Sequence, residues 1–181
     1  MTDFVHKKET FDEVISEIQK NPENGLETFH GIYGRFIALV AKTYCHTDDL
    51  VDEVLDDVLL KVWGYAYKPY KIDKPKSWLF TITANCAKDK LNGQKLYSLD
   101  RDIAIEENQF DEIIAKESFF SLIRCLNDEE RYVMILKFDD KYTLQEISEE
   151  IDKPIGSVSS IYYRALKKIE RKMKKVKKNS P

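Results

Sequence analysis

The stretch Tyr142–Lys172, YTLQEISEEIDKPIGSVSSIYYRALKKIERK, constrains the fold more than any other part of the chain. Thr143 is placed to cap a helix, with Glu146 three residues on to close a capping box. Leu144, Ile147 and Ile151 follow at helical spacing. Asp152-Lys153-Pro154 then breaks the run. Asp tolerates the left-handed backbone of a helix-ending turn, and Pro cannot continue the first helix but can start the next. Val158, Ile161, Tyr162, Ala165, Leu166 and Ile169 line one face of a second helix. Two helices joined by a turn of three or four residues make the helix-turn-helix pattern. Such a pair can seat its second helix in the DNA major groove, or it can be an ordinary helical hairpin. This stretch alone leaves both readings open.

A chain of 181 residues allows one or two domains. With only 6 Gly, 5 Pro and no alternating β-branched runs, it is expected to be all-α. No apolar run approaches the roughly 18 residues of a membrane span. The first residues, MTDFVHKKETFDEV, lack the basic-then-apolar layout of a signal peptide, so no membrane insertion and a cytoplasmic location are expected. The net charge of −3 is unevenly spread. From Tyr162 onward nine basic residues face Glu170 alone, and acid dominates elsewhere. This asymmetry fits a polyanion partner at one end and a basic partner elsewhere, or merely a solvated basic tail. Cys45, Cys86 and Cys125 are far apart and form neither CxxC nor Cys/His spacing. They are expected to be buried free thiols, with no metal, no cofactor and no catalytic site.

In chain order, Glu9–Lys20 puts Phe11, Val14, Ile15 and Ile18 on one helical face before a break at Asn21–Gly25. A longer helix is expected from Leu26 to Tyr44. Asp48–Trp63, DDLVDEVLDDVLLKVW, is the clearest amphipathic helix. Its buried side is expected to be Leu50/Val51, Val54/Leu55, Val58/Leu59 and Val62/Trp63, opposite Asp48, Asp49, Asp52, Glu53, Asp56 and Asp57. Like charges at i, i+4 cost about 0.2–0.5 kcal/mol per pair. A face carrying that cost suits a basic partner, although a solvated acidic face is equally compatible. Gly64–Ser77 reads as a loop in which Tyr65, Tyr67 and Tyr70 interleave with lysines. That composition suits single-stranded nucleic acid, or tyrosines covering a core edge. A helix resumes at Trp78 and is expected to end at Asn92-Gly93, with Asn85, Lys88 and Lys90 on its polar side. The segment 96–117 carries seven acids against Arg101 and Lys116 and reads as a linker. Asn127-Asp128-Glu129-Glu130 starts the final helical block.

Taken in this order, the acidic helix, the tyrosine-lysine loop with WLFTITANCAKDKL, and the C-terminal LNDEERYVMILKFDDKYTLQEISEEIDKPIGSVSSIYYRALKKI resemble a bacterial RNA polymerase sigma factor. The resemblance is to the sigma-70 family, and within it to the extracytoplasmic-function (ECF) group that keeps only regions 2 and 4. It implies two small helical domains joined by an acidic linker: residues 1–24 as an N-terminal helix, 25–95 as region 2, 96–117 as linker, 118–175 as region 4 and 176–181 as a basic tail. It implies as partners core RNA polymerase, through the clamp helices and flap of its large subunits, and promoter DNA, with an anti-sigma factor as a further candidate. The implied polymerase contacts are Asp49, Asp52, Glu53, Val54 and Asp56. The implied −10 contacts are Tyr65, Tyr67, Tyr70, Lys74, Asn85, Lys88 and Lys90. The implied −35 contacts are Ser157, Ser159, Ser160, Ile161, Arg164, Lys167, Lys168 and Arg171. Arg164 suits a guanine or phosphate, and Lys167, Lys168 and Arg171 suit backbone phosphates.

The chain departs from the family pattern at several positions. Asp52 stands where Gln is usual, Ala84 where Arg is usual, Asn92-Gly93 where a basic pair is common, and Ser159 and Ile161 where Lys and Arg are usual. The expected function is an alternative sigma factor that binds core polymerase, recognises and melts promoters and starts transcription, without being an enzyme itself. Two other functions fit the same residues: a sigma-like adaptor or decoy that binds polymerase without initiating, and a stand-alone helix-turn-helix regulator.

Overall fold

A computed structural model of the chain describes residues 10–99 and 120–179. The bounded helices are α1 (Phe11–Lys20), α2 (Pro22–Lys42), α3 (Asp48–Ala66), α4 (Pro75–Leu99), α5 (Asp128–Phe138), α6 (Leu144–Ile151) and α7 (Ile155–Asn179). Among the described residues there is no strand, in line with the all-α expectation.

Thr10 starts α1 through a capping box: its hydroxyl accepts from the Glu13 amide, and the Glu13 carboxylate accepts from the Thr10 amide at 2.7 Å. The break expected over Asn21–Gly25 contracts to Asn21 alone, which ends α1 and caps α2 by accepting from the Asn24 amide. Pro22 fits the first turn of α2 because an amide there has no intrahelical partner to lose. Gly25 therefore lies inside α2, where α1 packs directly onto it. A β-carbon at this position would sit 2.4 Å from the Ile18 nitrogen and 2.5 Å from its Cα. Gly25→Ala must lift α1 from α2, at about 1–3 kcal/mol of overpacking against a gain of up to about 1 kcal/mol in helix propensity. A lowered denaturant midpoint is expected, and an unchanged one would contradict this packing.

The helix expected to stand apart within residues 1–24 is instead part of the first bundle. Phe11 is buried against Phe29, Tyr33, Tyr65 and Trp78, with ring centroids 6.4, 5.8, 6.2 and 6.0 Å away. The loop expected over Gly64–Ser77 is also shorter. α3 continues to Ala66 and Pro75 opens α4, leaving 67–74 as the connection. Asn92-Gly93 does not end α4, which runs on to Leu99. Most of the acidic linker lies outside the described residues.

The second bundle is α5–α7. Asn127 and Glu130 form the capping box of α5, and Thr143 and Glu146 that of α6. The Thr143 amide and hydroxyl both donate to the Glu146 carboxylate, which lies below its ordinary range for that reason. Asp152 ends α6 in the left-handed region, φ 55° and ψ 49°. Burial raises the thiols of Cys45 and Cys86. Cys125, expected inside, is exposed, its Sγ 2.9 Å from the Leu122 carbonyl. The two bundles meet in one hydrophobic cluster, where Phe80 of α4 stacks on Tyr132 of α5 at 4.6 Å and 27°.

Candidate nucleic-acid and partner interfaces

The acidic helix α3 turns Leu50, Val51, Val54, Val58 and Val62 inward. Val54, expected at a partner surface, is fully buried and belongs to the core. Asp49, Asp52, Glu53 and Asp56 are exposed. Lys90 of α4, expected on DNA, instead bridges Glu53 at 3.1 Å and Asp57 at 3.3 Å. The hydrogen bond to Glu53 leads in raising its pKa, ahead of the opposing effect of desolvation. Asp49, Asp52 and Asp56 remain as the open acidic stripe. Leu60 and Trp63 continue it, 62% and 46% exposed, although Trp63 was expected inside. The reason is geometric: each four-residue step advances about 40° around a helix. The series Val51, Leu55, Leu59, Trp63 therefore rotates from buried through half-buried to exposed. That precession was available in the sequence.

The tyrosine-lysine connection divides into structural and open parts. Tyr65 is buried, its hydroxyl donating to the Tyr70 carbonyl at 3.0 Å and its ring 4.9 Å from Trp78. Burial raises its pKa, and it cannot stack on a base without unpacking the core. Tyr67 and Tyr70 are exposed. Lys74, Thr81, Asn85, Lys88 and Asn92 recur at intervals of seven, four, three and four, so they share one polar stripe along α4 and its start.

On α7, Ser157, Ser160 and Arg164 are exposed and border an open groove with Glu129, Lys153, Gly156 and Ile161. The Ser160 hydroxyl donates to the Gly156 carbonyl at 2.8 Å, and the Arg164 Nε to the Ser160 carbonyl at 3.3 Å. Ser159 is half-buried. Ile161, expected to face DNA, is 3% exposed and packs in the core behind the serines. Lys168 also changes role. Its ammonium lies 2.7 Å from Glu130, which is 2% exposed and accepts from the Asn127 amide as well. A buried carboxylate needs such partners, so Lys168 ties α7 to α5. Lys167 and Arg171 are exposed.

A third cluster, not foreseen, lies between the bundles. Asp128 accepts from the Tyr44 hydroxyl at 2.8 Å and pairs with Lys88. Burial pushes the Asp128 carboxyl up, but Lys88 and Tyr44 outweigh it and hold the carboxyl below its usual range. The Tyr44 hydroxyl is raised by burial and then by Asp128. Lys76 pairs with Asp140 at 2.8 Å and Arg35 with Asp139 at 2.6 Å, while the Lys74 ammonium donates to the Glu149 carbonyl at 2.6 Å. The Arg131 guanidinium sits 4.1 Å over the Tyr44 ring.

Residues 31–96 match Sigma-70 region 2, and residues 122–171 match Sigma-70, region 4. The ECF RNA polymerase sigma-E factor of Escherichia coli (strain K12) is 27% identical over 179 residues, covering 88% of this chain and 92% of that protein. The sigma-E factor of Salmonella typhimurium (strain LT2) shows the same identity and coverage, 27%, 88% and 92%. Among solved structures, the Bartonella quintana sigma factor RpoE, in complex with the anti-sigma factor NepR, shares the fold with TM-score 0.53 and 18% identity over 82% of this chain and 96% of that one. CnrH, in complex with the cytosolic domain of CnrY, gives 0.57 and 15% over 90% and 96%. The chain belongs to the sigma-70 family, in its ECF group, whose members bind core RNA polymerase and direct promoter recognition and transcription initiation.

Proposed function

We propose a division of labour between the two bundles. α1–α4 serve as region 2: the Asp49, Asp52 and Asp56 stripe of α3 meets basic helices of core polymerase, and Leu60 and Trp63 supply apolar contact beside it. The exposed Tyr67 and Tyr70, with Lys74, Asn85 and Lys88, engage the −10 element, where an extruded base recovers its unstacking cost of a few kcal/mol by stacking and pocket contacts. α5–α7 serve as region 4. Ser157, Ser160 and Arg164 enter the −35 major groove, and Lys167 and Arg171 hold the backbone. The polymerase supplies the chemistry, and this chain acts as a non-catalytic selector of where it starts.

The observation that carries this reading is the exposed, co-facial set Ser157, Ser160 and Arg164 on the second helix of a helix-turn-helix that the sequence already predicts. Arg164 is the long cation at its centre. Losing one good bidentate contact costs about 1–3 kcal/mol. Arg164→Ala is therefore expected to cut promoter-directed transcription by roughly tenfold or more, while binding to core polymerase stays unchanged. Full transcription by this variant would remove Arg164 from the reading face. An anti-sigma factor is the regulator that suits a chain of this architecture, given the likeness to RpoE solved with NepR. No helix among the described residues is long and apolar enough to cross a membrane.

A further inference from the structure

The connection 67–74 carries the exposed rings of Tyr67 and Tyr70, yet its backbone is tied down at three points. Where it begins, the side-chain amide of Gln19 on α1 donates to the carbonyl of Ala66, the last residue of α3. The final carbonyls of a helix have no partner within it, so Gln19 supplies from α1 a donor that α3 lacks. Farther along, the buried Tyr65 hydroxyl donates to the Tyr70 carbonyl at 3.0 Å. One residue on, the Lys71 ammonium lies 3.0 Å from the carboxylate of Asp12, again on α1. Two of the three ties thus come from α1 itself. The third comes from a ring that Phe11 of α1 packs against, 6.2 Å between centroids. Asp12 and Gln19 are seven residues apart, about 10 Å along the helix axis, so α1 reaches the connection near both ends. α1 is not free to follow the loop, because Val14 and Ile18 are fully buried and the backbone of Gly25 closes directly on Ile18.

Resting on the assignment of this connection to the −10 element, we infer that α1 positions the base-capturing loop, with Gln19, Tyr65 and Asp12 as positioning residues that touch no DNA themselves. They fix the path of the backbone, and Tyr67 and Tyr70 are left 55% and 59% exposed as a ready stacking surface. The two hydrogen bonds end on carbonyls and the ion pair on Lys71, so the hydroxyls of Tyr67 and Tyr70 stay outside all three ties. The Tyr70 ring is further set by the Tyr65 ring, 5.5 Å away and tilted by 57°. A loop ordered beforehand has less freedom to lose when a base docks on it. Loosening the ties therefore weakens capture of the extruded base while the rest of the bundle stands. Asp12 is the weakest of the three, since it and Lys71 are 56% and 82% exposed and water screens their attraction.

The test uses the full chain bound to core polymerase on a promoter duplex taken from its own sequenced transcript starts. 2-Aminopurine is placed at each position of the nearer upstream block in turn, and its fluorescence rises where the base leaves the stack. Gln19→Leu combined with Tyr65→Phe removes both hydrogen bonds, changes no charge and keeps the Tyr65 ring. The equilibrium for base capture in the saturated complex should fall about tenfold. The dissociation constant for core polymerase should stay as it was, because the Asp49, Asp52 and Asp56 stripe is untouched. A merely structural role would lower the melting temperature and leave capture in the folded complex unaltered, and that result overturns the inference. Should the double variant not fold, as read by circular dichroism, Asp12→Asn takes its place. It removes one exposed negative charge, which by itself favours DNA binding. A fall in capture of about twofold would then report lost positioning, and no fall overturns the inference. If the unsubstituted protein raises no fluorescence at any position, the loop does not extrude a base, and both the assignment and its positioning by α1 fall. A rise with the unsubstituted protein that the variants share leaves the assignment standing and removes only the role of α1.

Discussion

Reversing charge at Asp52 and Asp56 together, with Lys at both positions, is expected to weaken binding to core RNA polymerase by about a hundredfold, because interfacial charge partners commonly couple by about 1.5 kcal/mol or more each and reversal adds repulsion. The two carboxylates are exposed, one turn apart on α3, and take no part in the Lys90 bridge that holds Glu53 and Asp57. The substitutions should leave the fold intact, since the helix is anchored by Val54, Val58 and Val62 on its other side. The 52/56 pair stays like-charged with Lys at both positions, while the repulsion between Asp48 and position 52 turns into an attraction, so the helix is not loaded with added repulsion. The measurement is the dissociation constant for core polymerase, taken with a thermal melt of the free protein. An unchanged constant with an unchanged melt would move the polymerase contact off α3.

The largest effect on stability is expected at Phe29. It is fully buried where α1, α2 and the aromatic cluster meet, 4.9 Å from Tyr33 and 6.4 Å from Phe11 between ring centroids. Phe29→Ala removes the ring and leaves a cavity that rigid helix backbones cannot fill, at about 3–5 kcal/mol. Against a typical domain stability of about 5–15 kcal/mol, the first bundle should lose much of its margin. Denaturant unfolding should show the midpoint fall sharply while α5–α7, which contribute no ring to the aromatic cluster of Phe11, Phe29, Tyr33, Tyr65 and Trp78, retain their helicity longest. A loss under about 1 kcal/mol would mean that the aromatic cluster does not hold α1 in place.

The sequence was most readable where local chemistry decides the structure. Thr143, Glu146, Asp152 and Pro154 specify α6, its end and the start of α7 through capping and backbone preference, and the structure follows them residue by residue. Prolines were harder to place. Pro22 and Pro75 read as breakers, yet each begins a helix, because whether a proline stops or starts a helix depends on which side carries the next packed face. Side-chain direction was legible only while the helical phase was tracked. Val54 and Ile161 sit at apolar positions of their own periodic patterns, and burial was the consistent reading of both. The resemblance to the family assigned them outward roles that their packing excludes. Contacts between elements far apart in sequence left no local mark. Nothing near Lys168 announces Glu130, nothing near Lys90 announces Glu53, and nothing near Lys88 announces Asp128. Lysines that read as free phosphate contacts therefore turned out to be partly committed within the protein. Lys167 and Arg171 remain exposed on the −35 bundle, as does Arg164.

The central claim is that this chain selects promoters for core RNA polymerase through two separate DNA-reading faces. The direct measurement is transcription in vitro with purified core polymerase on fragmented genomic DNA, with the transcript starts sequenced. Discrete starts are expected that depend on the protein and share two upstream sequence blocks, with Arg164→Ala losing dependence on the farther block and changes at Tyr67 or Asn85 losing dependence on the nearer one. Starts no different from those of core polymerase alone, despite tight binding of the protein to core, would contradict the claim.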